Sequence, residues 1–165
     1  MDSSTKLIAD TITTLIGIFV GTLAAIAADR YNQRRRKRRR AKIILRSLFR
    51  ELNENHSTLR SVKLAYQKTA WGKSFYISTI AWETALSSGD LPDIIGFELT
   101  DVISAQYALL VRIRYYVDLL TRLWMAPAEI PGYEEIRRGF HRAIVEAMNK
   151  AINLHPEVVG LIERR

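Results

Sequence analysis

Residues 7–42 read LIADTITTLIGIFVGTLAAIAADRYNQRRRKRRRAK, an apolar run that ends at Asp29 and passes at once into a block of arginine and lysine. No charge falls between Thr11 and Ala28. At a rise of 1.5 Å per residue this stretch covers about 27 Å of helix, close to the hydrocarbon thickness of a bilayer. Asp10 and Asp29 sit at its two boundaries, where a carboxylate reaches water, and not at mid-depth, where a charge is costly. The stretch therefore reads as a single transmembrane helix. Two other readings fit less well. A cleavable leader is offered small residues by Ala25-Ile26-Ala27, but leaders carry their positive charge before the apolar run and not after it. A buried core helix is the second, because the threonines and alanines make the run only mildly apolar.

The basic block sets the expected orientation. Arg30, Arg34, Arg35, Arg36, Lys37, Arg38, Arg39, Arg40 and Lys42 all follow the apolar run. Lys and Arg flanking a span mark its cytoplasmic side. The expected location is the cell inner membrane, single-pass, with the N-terminus outside and the C-terminal domain cytoplasmic. The same block, Arg34 to Arg40 above all, reads as a collar for anionic lipid headgroups. Nucleic acid is the weaker partner, since aromatic residues are not interleaved beyond Tyr31. Within the run, Gly17, Gly21 and Ala25 recur every fourth residue on one face, a spacing at which helix backbones approach closely. They are the expected helix-association residues, and the expected oligomer is of identical copies.

Across 165 residues the net charge is +8. The nine cations of residues 30–42 more than account for it, so the remainder of the chain is close to neutral and its basicity is local. The absence of cysteine excludes disulfides, thiolate metal sites and thiol nucleophiles. Three segments are expected: an anchor over 1–29, a collar over 30–42 and one helical domain over 43–165, which is long enough for a modest core.

After the collar, Leu45, Leu48, Leu52, Asn55, Leu59, Val62 and Tyr66 alternate three and four apart, the signature of a helical stripe. This first helix is expected to run on to about Trp71-Gly72. Asn55 interrupts the stripe, either fixing register or pairing locally with Glu51 or solvent. A short helix from Thr79 to Ser87 carries Trp82 and stops at Ser88-Gly89, and Leu91-Pro92-Asp93 restarts the chain. Leu99, Ile103, Gln106, Leu110, Ile113, Val117, Leu120 and Trp124 mark a long helix closed by Pro127 and Pro131-Gly132. A last helix follows from Tyr133 to about Leu154, its apolar stripe Ile136, Phe140, Ile144 or Ala143, Ala147, Ala151 and Leu154, ended by Pro156. The fold class is all-α: the membrane helix continuing into a bundle of about three long helices plus a short one.

Chemistry is sparse. His56, His141 and His155 show no metal-ligand spacing, and no phosphate loop or nucleophile elbow occurs. No catalytic, cofactor or metal residue is expected. Arg50 and His56 form an R-x5-H pattern found in small helical ribonucleases, which makes a ribonuclease the third and weakest functional reading. The first is a non-enzymatic, membrane-anchored helical scaffold or accessory subunit that self-associates and meets a cytoplasmic protein. The second is an oligomeric membrane pore or defence effector whose conduit would be lined by Thr11, Thr14 and Thr22.

The order of features resembles a known group. Glu51-Leu52-Asn53-Glu54-Asn55 with Leu59, Trp82-Glu83 leading into Leu86-Ser87-Ser88-Gly89-Asp90-Leu91, and then Tyr107, all after an apolar run, resemble a broad group of uncharacterised prokaryotic single-pass membrane proteins classed as domains of unknown function. The resemblance implies an anchor and a helical cytoplasmic domain, and no substrate or cofactor.

Overall fold

A computed structural model describes residues 3–68, 75–89, 91–125 and 131–164, with side chains described from Leu15 onward. The described residues form five helices and no strand: α1 (Ser3–Lys68), α2 (Ile80–Ser87), α3 (Leu91–Ile95), α4 (Phe97–Met125) and α5 (Tyr133–Glu163). The chain divides into two compact units, Met1–Arg40 and Ala41–Arg165.

The transmembrane expectation is overturned. Among the described residues, no helix is long and apolar enough to cross a membrane. The physical reason is the charge that closes the described run. Among these residues a stretch of spanning length takes in Asp29 and Arg30, and the rest of the collar follows without a break. The single-pass topology, the inner-membrane location and the N-out orientation all rested on that span and fall with it.

In the unit Ala41–Arg165 the helical stripes meet in one core. From α1 come Leu48, Leu52, Leu59 and Tyr66, from α4 Leu99, Ile103, Tyr107, Leu110 and Ile113, and from α5 Ile144, Met148, Ala151 and Val158, all buried. Burying each Leu or Ile contributes roughly 1.5–3 kcal/mol, so this seam carries the fold. Ile77, Trp82, Leu91 and Ile95 extend it to α2, α3 and the segment before them. The indole of Trp82 stacks on the Tyr107 ring, centroids 5.0 Å apart and planes within 9°. α2 stops where the turn chemistry places its end: Ser88 is helical and Gly89 takes φ +72°, a left-handed conformation that costs glycine little.

Of two helix ends in the sequence reading, one falls on undescribed residues and one differs. The expected end of α1 at Trp71-Gly72 lies outside the described residues. α5 continues through Pro156 to Glu163 instead of stopping. Proline removes one backbone bond and crowds the preceding turn, a cost of about 3 kcal/mol in a helix interior. Val158 and Ile162, both in the core, lie beyond the proline, and burying them offsets that cost.

Candidate functional site: an exposed apolar segment beside a basic collar

In the unit Met1–Arg40, Leu15, Ile16, Ile18, Phe19, Val20, Leu23 and Ile26 are each between 46 % and 66 % exposed. At 100° per residue these large side chains fill an arc of about 200° around α1. Gly17, Gly21, Ala24, Ala25 and Ala28 fill the rest. The expected association residues Gly17, Gly21 and Ala25 thus share one stripe, and a Cβ built on either glycine meets nothing within 4 Å. Thr22 donates its hydroxyl to the Ile18 carbonyl at 2.8 Å, so it leaves no unspent donor on the surface. Side chains of Thr11 and Thr14 lie outside the described residues.

The collar residues Arg34, Arg35, Arg36, Lys37, Arg38, Arg39 and Arg40 are all exposed on the same helix. Asp29, the acid that precedes them, accepts a hydrogen bond from Gln33 Nε2 at 2.8 Å. Nine cations over residues 30–42 give about one charge per 2 Å of helix axis, close in magnitude to the phosphate density of a nucleic-acid duplex. A surface without charge therefore abuts one almost saturated with it.

In the unit Ala41–Arg165 the polar groups that sequence reading singled out join helices to one another. Asn55 is buried and pairs with neither Glu51 nor solvent. Its Nδ2 donates to the Ser78 carbonyl at 2.7 Å, and its Oδ1 accepts from the Ser78 amide at 3.0 Å. Glu51, also buried, accepts from Ser78 Oγ at 2.5 Å, from Tyr107 Oη at 2.6 Å and from the Ala81 amide at 3.0 Å. Ala81 lies in the first turn of α2, whose Thr79 makes no side-chain cap. The carboxylate of α1 therefore does the capping from another helix, with the helix dipole in its favour. Burial pushes the Glu51 carboxyl up, but hydrogen bonds from Ser78, Tyr107 and the α2 amides hold it below its ordinary value. The Tyr107 hydroxyl is pushed up by burial and by its bond to Glu51, so it stays a donor.

Arg50 and His56 do not form a common site. Six residues apart, they lie about 120° apart around α1. Arg50 is exposed and 3.8 Å from Glu54, at a groove with Ser78 and Ile80, whereas His56 stacks on His155 of α5, centroids 3.9 Å apart. His155 Nε2 lies 3.1 Å from Asn53 Oδ1, and the Nδ1 atoms of both rings are buried without a hydrogen-bond partner. His141 Nε2 donates to the Tyr66 carbonyl at 2.6 Å, tying α5 to α1. Among the described residues no cluster of three or more His, Cys, Asp or Glu is arranged to hold a metal ion. Sequence reading missed the His56–His155 pair because it took α5 to end before Pro156. It also missed a cleft of about 580 Å³ along α5, lined by Arg137, Arg138, His141 and Arg142, whose signal was their spacing on one helix.

No family model, curated protein or solved structure matches the chain.

Proposed function

We propose that the chain is a non-enzymatic helical scaffold or accessory subunit that assembles with copies of itself through residues 15–28. The observation that carries this reading is the run of seven large apolar side chains standing exposed on one helix. Contiguous apolar surface of this kind is retained where something covers it. The cover must be apolar and free of charge for about 21 Å. The chain itself contains a surface of that length and character, the segment facing its own copy. The other exposed large apolar residues of the described chain, such as Leu64, Val111 and Trp124, are scattered along helices with charges between them. In the unit Ala41–Arg165 Glu51 and Asn55 of α1 are spent on Ser78, on the first turn of α2 and on Tyr107 of α4, which supports a structural role for that unit and leaves its outer faces for a protein partner.

The test is the mass of the full chain in solution by light scattering, for the parent and for Phe19→Glu/Leu23→Glu, with Gly17→Ile/Gly21→Ile reporting whether the small-residue stripe is the seam. A multimeric parent and a monomeric Glu variant are expected. A monomeric parent, or a Glu variant that assembles as well as the parent, overturns the proposal. So does a parent that remains monomeric and floats with anionic vesicles, because the cover is then lipid.

A further inference from the structure

Resting on that reading, we infer that two copies of the segment pair antiparallel, with each collar lying against the N-terminal part of its partner's α1. The inference comes from where the charge lies. The apolar surface with described side chains, residues 15–28, is centred between Gly21 and Thr22, and all nine cations of residues 30–42 lie on one side of it. A parallel pair, with axes about 8–10 Å apart, sets one collar directly beside the other. That is close to the screening length of about 8 Å at physiological salt, and the opposed cations are exposed on helices, with Asp29 the one acid at their edge. Asp29 already accepts a bond from Gln33 of its own helix.

Turning one copy around removes this conflict without losing apolar overlap. Residues 15–28 still face residues 15–28, because the segment is centred on the turn. The nearest collar residues, Arg30 and its counterpart, are then about 26 Å apart along the axis, more than three screening lengths. Each collar comes level with residues 3–13 of the partner, a stretch in which Lys6 and Asp10 balance and no net charge remains. The position of Asp10 comes level with that of Gln33, one residue before Arg34. The macrodipoles of the two helices also run in opposite directions, an arrangement that favours pairing.

The chain has no cysteine, so a spin label on Asn32→Cys reports on one site per copy without further engineering. Asn32 is exposed and lies outside the apolar surface. In the antiparallel pair the two labels stand about 30 Å apart, and in a parallel pair under about 20 Å. The full-length labelled chain is measured by pulsed electron double resonance, with its mass recorded on the same sample. A multimer with a distance near 30 Å is expected, together with assembly that is nearly independent of salt between about 50 mM and about 500 mM. A multimer with distances under about 20 Å, tightening as salt is added, overturns the antiparallel arrangement and leaves self-association standing. A monomer removes both.

Discussion

His155 is a residue whose environment changes its chemistry within the range of mildly acidic buffers. Its ring is buried against His56, its Nε2 faces Asn53, and its Nδ1 has no acceptor. A proton on Nδ1 would place a charge where nothing receives it. Burial, followed by the charge His56 would carry, pulls His155 down to about 4, while burial and then the nearby Arg60 guanidinium pull His56 down as well. In the unfolded chain a histidine titrates near 6.5. Between these values the unfolded state binds more protons than the native one, so stability falls as the pH drops from about 6.5 toward 4. Allowing for solvent at the rim of the pair, the loss is about 2 kcal/mol. Urea unfolding at half-unit pH steps should show this slope, and His155→Gln should flatten it. An unchanged slope in the variant would assign it elsewhere. Glu51, held below its ordinary value, contributes in the same direction but at lower pH, as its carboxylate becomes protonated below about 4.5.

At the scale of elements, the stripes of α1 and α4 were legible because apolar residues alternating three and four apart fall on a common face only when the backbone is helical. Leu99, Ile103, Gln106, Leu110, Ile113, Val117 and Leu120 are all buried, and so are Leu48, Leu52, Asn55, Leu59 and Tyr66. Trp124 departs from the pattern and stands 56 % exposed near the end of α4. What periodicity could not supply was the identity of the partners. Asn55 and Glu51 stand where apolar residues belong, and their real partner, Ser78, lies in a segment with no periodic signal. The end of α5 was misread for a related reason. Pro156 is a stop signal taken locally, but the core beyond it at Val158 and Ile162 outweighs the local preference. Pro156→Ala restores the missing backbone donor and relieves the crowding. It should raise stability by about 1–2 kcal/mol in denaturant titration, part of the helix-interior gain being offset by a freer unfolded chain. A loss of stability would mean that the proline ring itself packs to advantage.

For the whole molecule, the apolar segment was readable as apolar and the collar as basic, but not what either faces. Hydropathy reports that a surface avoids water and is silent on what covers it. Among the described residues no helix is long and apolar enough to cross a bilayer, yet each large side chain of residues 15–28 needs a cover. That Gly17 and Gly21 share one stripe was legible from spacing alone, because only their relative position on one helix mattered. The buried carboxylate of Glu51 was not, since capping from a distant helix leaves no trace in local sequence.

That distant cap also bears on how the molecule opens. At eight residues α2 is far shorter than the length at which an isolated helix is even marginal in water. Its first-turn amide at Ala81 is held by a side chain 30 positions earlier in the chain. Fraying of α2 therefore has to break a bond to a carboxylate that Ser78 and Tyr107 hold in place, and the short helix is tied to the cooperative unit formed by α1 and α4. Amide hydrogen exchange makes this visible. The Ala81 amide should exchange at the slow rate of core amides such as Leu110, and Glu51→Ala should speed it by roughly 10-fold more than it speeds Leu110. Equal acceleration at both positions would mean that α2 never opens separately, and that the cap acts on global stability alone.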